Sequence, residues 1–570
     1  MNVGLHSKKI KMRYIIIGGV AGGASTAARL RRMDEKAGII LFEKGAHISY
    51  ANCGLPYYIG DVITERNKLF VQTATSFSQR FNIDVRVLNE VTGIDPVTKT
   101  VKAKNLKTGE VYEEKYDKLI LSPGAEPVRP PLEGIDSEGI FTLRNVTDTD
   151  KIKDYVQQFP KGRAIIIGAG FIGLEMAENL HNLGMQVTVI EMGNQVLAPA
   201  DFTIAAIAQQ HIRSKGVNLK LKTAVTGFEK TSSGIKVFLK DEEPAEGDVI
   251  ILSIGVRPDT RLATAAGLKT GNAKGILVNE YLQTSDENIY AVGDAIEFIN
   301  PITGNSMPTF LAGPANKQGR ICANNIVLGN HQKYHGAINT AIVKLFDITV
   351  AVAGVASKHL QAAGIEHETA IVHSNSHAGY YPDAQQMSIQ VVFSPTDGKL
   401  LGAQVAGKEG VDKRIDILSS VIQRGSTIYE LTEFEHAYAP PYSSAKDPVN
   451  MVGFVAENIL QKRLRVVPWQ KINELGTDDI LLDVRNPDEF ERGYIAGAIN
   501  IPLNELRNRL GELPSEKNIY VYCQIGLRGY LAQRILLQNG FEKVKNMSGG
   551  YYLWEQCSKE MSLLNETVAV

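Results

Sequence analysis

The chain has 570 residues, of which 44% are hydrophobic and 22% are charged. This length exceeds what one hydrophobic core holds, so we expect several domains of about 100–200 residues each. Its 61 basic and 62 acidic residues give a formal net charge of -1, which excludes a strong global attraction to nucleic acid or to an acidic membrane surface. No stretch approaches the roughly 20 apolar residues that a membrane span requires. An anionic ligand must therefore be bound by local groups.

The cysteines are few and far apart in the sequence, at Cys53, Cys322, Cys523 and Cys557. This spacing does not suit a disulfide framework, and the lack of a CxxC pair argues against a zinc site, so no metal is expected. Cysteines that form neither disulfides nor a metal site predict a protein of the reducing cytoplasm. Cys322 and Cys557 match no catalytic pattern and are predicted to be structural.

The N-terminus superficially imitates a signal peptide, with Lys8, Lys9 and Lys11 before the apolar segment 14–20. Glycines interrupt this segment and arginines follow it, so we predict a first β-strand instead. Met12 is an alternative start, in which case residues 1–11 form a disordered extension.

The first motif combines a strand, a glycine-rich turn and a helix. Residues 13–18 are predicted to be a buried strand, the helix ends near Asp34, and the next strand, 39–42, is followed by an acidic residue. The amides of such a turn approach a pyrophosphate, while the acid binds a ribose hydroxyl. The predicted dinucleotide-binding residues are Gly18, Val20, Gly23 and Glu43, with Val20 in place of the middle glycine of the fingerprint.

The same unit recurs, with a strand at 163–168, a helix to about Leu183 and a strand at 186–190. Here the fingerprint is complete, at Gly168, Gly170, Gly173 and Glu191. Two full units about 150 residues apart imply two bound dinucleotides. Glu191 is expected to accept hydrogen bonds from the ribose hydroxyls and to repel a 2′-phosphate, which favours NADH over NADPH.

A third apolar strand, 288–292, runs into Gly293, Asp294 and Ala295. This segment resembles the flavin-ribityl motif of the two-dinucleotide flavoprotein reductases, and residues 122–125 are similar to the chain crossing between their nucleotide domains. The resemblance implies that Asp294 and Ala295 bind FAD, and that the second unit binds NADH or NADPH.

The segment 48–57 contains Cys53, which is predicted to begin a helix. The positive end of a helix stabilises a thiolate, the form that reacts with a disulfide. The fifth position after this cysteine is Tyr58, so no second cysteine stands there to form a local disulfide. Cys53 must then alternate between a thiolate and either a mixed disulfide with a small thiol or a sulfenic acid.

The same segment resembles the active site of the coenzyme A disulfide reductases, which belong to the pyridine nucleotide-disulfide oxidoreductases. The resemblance implies that Cys53 is the catalytic cysteine, that Ser49 and Asn52 line its pocket, and that Arg32 binds the nucleotide end of CoA. A solvated helix face is the alternative for Arg32. NADH oxidases and peroxidases of this family have a histidine in the first glycine loop, whereas residues 18–25 contain none. Disulfide or persulfide reduction is therefore favoured.

Between about residues 336 and 453 the pattern changes to strands and hairpins, over 340–352, 368–373, 387–393 and 399–406. An Asp-Gly turn between the last two indicates an antiparallel sheet. The region resembles the family's dimerisation domain, which implies a homodimer in which Tyr380 and Tyr438 reach the partner's thiol site. Tyr381 and Tyr442 are close enough to be alternatives, and aromatic residues of a core or interface are the plain structural interpretation.

A new α/β block follows residues 466–469. Its strand 518–522 leads into Cys523, with Arg528 five positions later, and this arrangement resembles a rhodanese domain. Amides around such a loop stabilise a thiolate or a persulfide. The Cys-x4-Arg spacing is that of sulfurtransferases, whereas phosphatases of related fold use Cys-x5-Arg. Cys523 is therefore predicted to carry a persulfide and Arg528 to orient the loop, while Asp483 and Arg485 support structure.

The sequence thus predicts an α/β chain with two Rossmann-like dinucleotide-binding domains, an α+β dimerisation domain and a C-terminal rhodanese-like α/β domain. The expected ranges are 12–160 with 276–335 for FAD, 161–275 for NAD(P)H, 336–457 for dimerisation and 470–560 for the rhodanese. The expected activity is NAD(P)H-driven reduction of CoA disulfide, CoA persulfide or polysulfide. The alternatives are an NADH oxidase or peroxidase, and a non-enzymatic sulfur carrier or redox sensor.

Overall fold

The computed structural model describes residues 11–566, so the possible extension before Met12 lies outside the described residues except for Lys11. Contacts divide the chain into two compact units. The first contains the residues up to 168 together with 179–187 and 225–337, and the second contains 169–178, 188–224 and the residues from 338 onward. The range predicted for NAD(P)H, 161–275, is divided between the two units. Boundaries between the units fall within the helix Phe171–Asn182 and within the strand Gln186–Ile190.

The first unit is built on a five-stranded parallel sheet with Arg13–Ile17 in the centre. Ile17 is aligned with Phe42 on one side and Leu121 on the other, so these strands end together at one edge of the sheet. The apolar strands are buried on both faces, as parallel sheets usually are. In spatial order the strands are Ile289–Ala291, Lys118–Leu121, Arg13–Ile17, Gly38–Glu43 and Asp84–Val87.

Smaller sheets complete this unit. A parallel group contains Ile140–Thr142, Val249–Leu252 and Arg163–Ile167. The antiparallel groups are Asn89–Asp95 with Thr100–Asn105 and Val111–Lys115, Val225–Thr231 with Gly234–Leu239 and Glu242–Gly247, and Ala125–Pro127 with Val256–Pro258. A mixed group contains Ile276–Leu277, Ile296–Ile299 and Ser306–Met307. The α-helices are Ala21–Met33, Leu55–Ile59, Ala74–Phe81, Val146–Val156, Arg261–Ala265 and Ala312–Leu328.

In the second unit, a five-stranded antiparallel sheet occupies the range predicted for dimerisation. Its spatial order is Ala341–Leu345, Ile348–Gly354, Leu400–Gly407, Gln386–Phe393 and Glu368–Asn375. The predicted extended segment 340–352 is a hairpin of two strands, because Phe346 adopts a left-handed φ of 58° that reverses the chain. The helices of this region are Ser357–Ala362, Val411–Gln423, Ile428–Glu433 and Pro448–Leu460.

The C-terminal block has a five-stranded parallel sheet. Its order is Val466–Val467, Val544–Met547, Asn518–Tyr522, Asp479–Asp483 and Ile499–Asn500. The α-helices Pro487–Glu491, Leu527–Gln538 and Gly550–Glu566 accompany it. Within residues 11–566, no helix combines the length and the apolar character needed to cross a membrane.

The rhodanese-like block is packed firmly within the second unit. Its last helix, Gly550–Glu566, lies against the helix Phe202–Ser214, and the two contribute to one hydrophobic cluster. At this contact the fully buried carboxylate of Glu560 accepts hydrogen bonds from Gln209 (2.7 Å), Gln210 (2.6 Å) and Arg213 (3.2 Å). A buried carboxylate is tolerated because donors surround it. The block is therefore a docked domain of this unit.

We expect Glu560→Ala to destabilise this contact by about 3 kcal/mol, because the buried donors lose their acceptor. Both tryptophans of the chain, Trp469 and Trp554, lie in the C-terminal block, so their fluorescence during urea unfolding reports the change. Glu555→Ala, on the same helix but in a partly exposed pair with Lys559, is the control and should change stability by less than about 0.5 kcal/mol. Equal unfolding midpoints for the two variants would contradict this account.

Candidate active sites

The first glycine-rich turn depends on two close backbone approaches. A Cβ on Gly18, whose φ is 100°, would lie 2.0 Å from the Ser122 carbonyl oxygen, and a Cβ on Gly23 would lie 1.9 Å from the Gly18 carbonyl oxygen. Both positions therefore require glycine. Val20 precedes the helix with a φ of -101°, which suits an L-residue, and its carbonyl accepts the amide of Ala24 at 2.9 Å. The valine is thus accommodated at this position.

Two carboxylates make the same hydrogen bonds in the two dinucleotide motifs. Glu43 accepts the amide of Gly19 at 2.9 Å and that of Gly45 at 2.7 Å. Glu191 accepts the amide of Ala169 at 2.8 Å and that of Gly193 at 2.7 Å. In each case one donor directly follows the first glycine of the turn and the other lies two residues after the acid. The repeat predicted from the sequence is therefore also a repeat of local geometry.

A cavity of about 390 Å³ opens beside the first turn. Its lining includes Gly18, Glu43, Lys44, Pro123 and Arg261. Asp294 follows Gly293, whose φ is 81°, and burial raises the pKa of the Asp294 carboxyl while Arg144 lowers it. At the second motif, a Cβ on Gly170 would meet no atom of the described chain within 4 Å, so the backbone there is open to a ligand. These residues fit two dinucleotides.

Cys53 lies in an exposed turn that is hydrogen-bonded to the first glycine-rich turn. It belongs to the 3-10 turn Asn52–Gly54, which precedes the helix Leu55–Ile59, so it stands just before the α-helix that was expected to begin with it. Ser49 has a left-handed φ of 46°, and its amide donates to the Gly19 carbonyl at 2.8 Å. The Ser49 carbonyl in turn accepts the amide of Val71 at 2.9 Å. We call residues 49–54 the thiol turn.

The position where a second cysteine would stand is part of the core. Tyr58 is buried with Leu55, Leu69 and Val146. The Lys153 ammonium lies 4.5 Å from the Tyr58 ring centre and donates to the Tyr58 carbonyl oxygen at 2.7 Å. This residue therefore has a packing role beside the thiol turn.

Three arginines lie near one another on two packed helices of the first unit, Ala21–Met33 and Ala312–Leu328. The pKa of Arg29 is lowered by burial and by the charges of Arg320 and Arg32. Arg32 is exposed, whereas the neighbouring Arg31 is buried and donates to backbone carbonyls. A bound anion would offset the repulsion between these positive charges. Arg320 was not among the residues considered for this site from the sequence.

The tyrosine hydroxyls of Tyr380 and Tyr438 are 2.8 Å apart, and both side chains are exposed, at 76% and 48%. The hydrogen bond with Tyr438 raises the pKa of Tyr380. The alternative Tyr381 instead packs edge-on against the His377 ring, at 5.7 Å between ring centres. The structure therefore brings together the pair that was preferred from the sequence.

A buried ion pair holds the two tyrosine segments together. Arg414 donates to Asp447 at 2.8 Å and to the Ser376 carbonyl at 2.8 Å, four residues before Tyr380. Asp447 also accepts the Ser443 hydroxyl at 2.5 Å, next to the second tyrosine segment. Neither charged residue was identified from the sequence, because the pair joins two segments that are separated along the chain.

Cys523 is buried on the loop between the strand Asn518–Tyr522 and the helix Leu527–Gln538; residues 523–526 are the Cys523 loop. The Gly526 amide donates to the Cys523 sulfur at 3.1 Å. Tyr551 donates its amide to the Cys523 carbonyl at 2.8 Å, which supports the loop from the last helix.

Charged residues surround this loop in two pairs. Arg528 donates to both oxygens of Glu489, at 2.6 and 2.7 Å, which raises the pKa of Arg528 and holds the pKa of Glu489 at about 2. Asp483 and Arg485 form a buried pair, and Arg485 reaches Gln524 of the loop at 3.2 Å. The sequence prediction missed Glu489, although its position in an Asn-Pro-Asp-Glu helix start marks it as a capping residue.

Within residues 11–566, no group of three or more His, Cys, Asp or Glu side chains is arranged to hold a metal ion.

The family model for the pyridine nucleotide-disulphide oxidoreductases matches residues 12–317. The chain belongs to this family. The dimerisation domain of these oxidoreductases matches residues 340–448, and a rhodanese-like domain matches residues 469–557.

Individual members of the family are similar over most of the chain. Coenzyme A disulfide reductase of Staphylococcus haemolyticus is 35% identical over 447 residues, which cover 78% of this chain and 100% of the relative. The structure of reduced Bacillus anthracis CoADR-RHD is 48% identical with a TM-score of 0.94, over 96% of this chain and 99% of that one. A NAD-dependent persulfide reductase from A. fulgidus is 40% identical with a TM-score of 0.89, over 95% and 100%. The predicted fold class is confirmed.

The cofactors of this oxidoreductase family are FAD and NAD(P)H. The glycine turns, the repeated carboxylates and the cavity beside Glu43 suit these two dinucleotides. Assignment of each cofactor to its motif stays a prediction.

The Arg528–Glu489 pair predicts a pH-dependent stability of the rhodanese-like domain. The folded-state pKa of Glu489, about 2, is below its usual 4.5, so the pair stabilises the fold above pH 4.5 and this contribution is lost as the pH falls toward 2. Glu489→Gln should lower the unfolding midpoint at pH 7, and its difference from the wild type should shrink on acidification. Tryptophan fluorescence provides the measurement, and Glu491→Gln, on the exposed side of the same helix, is the control. A difference that is independent of pH would contradict the assignment.

Proposed function

We propose that the chain is an NAD(P)H-dependent flavoprotein that reduces CoA disulfide or CoA persulfide through Cys53, while its rhodanese domain handles sulfane sulfur at Cys523. The observation that carries the proposal is the thiol turn. It presents one exposed cysteine and is hydrogen-bonded to the first glycine-rich turn, and the core residue Tyr58 stands just beyond it, where a second cysteine would be. The substrates are those that the names of the similar reductases indicate.

FAD, if held by the first glycine-rich turn together with Glu43 and Asp294, would supply the thiol site with the two electrons that a pyridine nucleotide at the Glu191 motif provides. The Cys53 thiolate attacks one sulfur of CoA disulfide, which releases one CoA thiolate and leaves a mixed disulfide between Cys53 and CoA. With CoA persulfide, the same attack on the inner sulfur expels the terminal sulfur as hydrosulfide. In both cases two electrons and a proton then release CoA thiol and restore Cys53.

The tyrosine pair suits the stabilisation of a departing thiolate. In a homodimer formed through the matched dimerisation domain, Tyr380 and Tyr438 face the thiol turn of the partner subunit. In such a pair one hydroxyl donates to the other, and the hydroxyl that accepts can donate its own proton toward developing negative charge. The Arg414–Asp447 pair positions the two tyrosines, because it holds the segments that carry them.

The arginine cluster supports CoA as the thiol carrier. Arg29, Arg32 and Arg320 provide positive charge for the phosphates of CoA, and Ser49 and Asn52 belong to the thiol turn that receives its sulfur end. A cycle that passes through a thiol requires a reducing compartment, so the proposal places the enzyme in the cytoplasm.

Replacing the thiol tests the reductase directly. With FAD-loaded protein, Cys53→Ser should lower NADH oxidation by CoA disulfide and by CoA persulfide about 1000-fold, because the variant lacks the sulfur nucleophile. Flavin content, read from the visible spectrum, shows whether the variant has kept its fold. Hydrogen peroxide is the third substrate, and a wild-type enzyme that consumes only peroxide would overturn the proposal in favour of a peroxidase.

Cys523 is expected to contribute to reactions of sulfane sulfur and not to the reduction of CoA disulfide. Cys523→Ser should leave turnover of CoA disulfide within about twofold of the wild type and lower sulfide release from polysulfide about tenfold, because the second sulfur-handling thiol of the chain is lost. CoA disulfide thus serves as the control substrate in the same preparation. Equal rates of sulfide release by the two proteins would show that Cys523 takes no part in this reaction.

A further inference from the structure

Two backbone hydrogen bonds join the thiol turn to residues 66–72, which we call the strap. The amide of Ala51 donates to the Leu69 carbonyl at 2.7 Å, and the amide of Val71 donates to the Ser49 carbonyl at 2.9 Å. The pairing is antiparallel, so the strap runs back along the residues just before the reactive thiol. A shift of the strap would therefore also shift the thiol turn.

The strap is anchored at its first residue by a forked ion pair. Nε of Arg66 donates to one oxygen of Asp150 at 2.8 Å, and Nη2 donates to the other at 2.7 Å. Asp150 lies on the helix Val146–Val156. A bidentate fork of this kind is held in one orientation, whereas a lysine ammonium is a point charge that leaves the angle free. The pair thus fixes the start of the strap relative to this helix.

The same guanidinium also reaches the segment that leads into the thiol turn. Nη2 of Arg66 lies 3.3 Å from Nε2 of His47, two residues before Ser49, and the arginine can only donate. Burial and the charge of Arg66 lower the pKa of His47, which leaves this ring nitrogen free to accept. The His47 ring packs on Phe70 of the strap, at 4.7 Å between ring centres. One arginine therefore links the helix, the strap and the entry to the thiol turn.

The helix Val146–Val156 also holds the chain after the thiol turn. One turn beyond Asp150, the ammonium of Lys153 donates to the Tyr58 carbonyl at 2.7 Å and lies 4.5 Å from the centre of the Tyr58 ring. The Lys153 side chain is mostly buried, which limits the positions that it can take. The segment that contains Cys53 is therefore held at both of its ends by contacts with a single helix.

The Arg66–Asp150 pair is too exposed to be a major source of stability. The two side chains are 37% and 32% exposed, and ion pairs in contact with water contribute little to the free energy of unfolding. The rate of a reaction between held groups is far more sensitive, because a misplacement of about 1 Å can lower it about a hundredfold. A contact of this kind can therefore matter for the reaction while it contributes little to stability.

We propose that Arg66 and Asp150 are positioning residues of the reductase, which hold the thiol turn through the strap and so fix the Cys53 sulfur in the geometry for attack on its substrate. The inference rests on the proposed function for the reaction of Cys53. The forked geometry is the property that matters, since a positive charge alone would not fix the direction of the strap.

The test uses the full-length, FAD-loaded protein with NADH and CoA disulfide. Asp150→Asn and Arg66→Lys each remove the fork, the second without loss of charge. Asp154→Asn is the matched control, because Asp154 is exposed on the same helix and its replacement changes the charge by the same amount as Asp150→Asn. Steady-state kinetics give kcat and KM. Amide hydrogen exchange, measured by mass spectrometry on peptides of the thiol turn and the strap, needs no turnover.

We expect both fork variants to lower kcat about tenfold and to change KM less than about twofold, because substrate still binds while the sulfur is displaced. Exchange in residues 49–54 should become about fivefold faster, because the backbone pairing with the strap opens more often. The double variant should lose no more than either single variant, since both remove one interaction. Asp154→Asn should leave kcat and exchange unchanged, and flavin content should be the same in all proteins.

Wild-type kcat in Arg66→Lys would overturn the inference, because charge without the fork would then suffice. A loss confined to KM, or an equal loss in Asp154→Asn, would also overturn it. Unchanged exchange in both fork variants would do so whether or not the wild type turns over. Failure of the proposed function would appear separately, as missing turnover of CoA disulfide by the wild type itself.

Discussion

The close approach between backbone segments at the ends of parallel strands is the constraint on which the reductase part of the structure depends. Gly18 lies against the Ser122 carbonyl and Gly23 against Gly18 itself, at distances that exclude any side chain. This contact sets the angle at which the strand Arg13–Ile17 enters the helix Ala21–Met33. The amides of the turn then have a fixed direction, and a carboxylate at the end of the next strand secures the turn from the other side.

The chemistry of the thiol site depends on the same turn. Ser49 donates its amide to Gly19, the residue whose own amide binds Glu43. The thiol turn is therefore positioned by the backbone that forms the dinucleotide motif. Because Tyr58 is committed to the core, Cys53 has no second cysteine at that position with which to form a local disulfide.

Buried charges have a positional role elsewhere in the chain. Arg414 with Asp447 joins the two tyrosine segments, and Glu560 fixes the last helix to Phe202–Ser214. Breaking such a pair leaves an uncompensated charge, so each holds its segments in one arrangement. The rhodanese-like block is consequently a docked part of the second unit.

The sequence by itself determined the features that depend on local pattern. The two strand-glycine-helix units, Cys53 in its segment, the antiparallel region and the Cys-x4-Arg loop all follow from residue order, because turns, strands and motif spacing are local properties. Through the family resemblance it also favoured Tyr380 and Tyr438, with Tyr381 and Tyr442 as alternatives. Only the tertiary structure decided that Tyr380 meets Tyr438, that Glu489 binds Arg528, and that Asp150 anchors the strap through Arg66. Each of these contacts joins residues far apart in the chain, and packing, which no short segment encodes, brings them together.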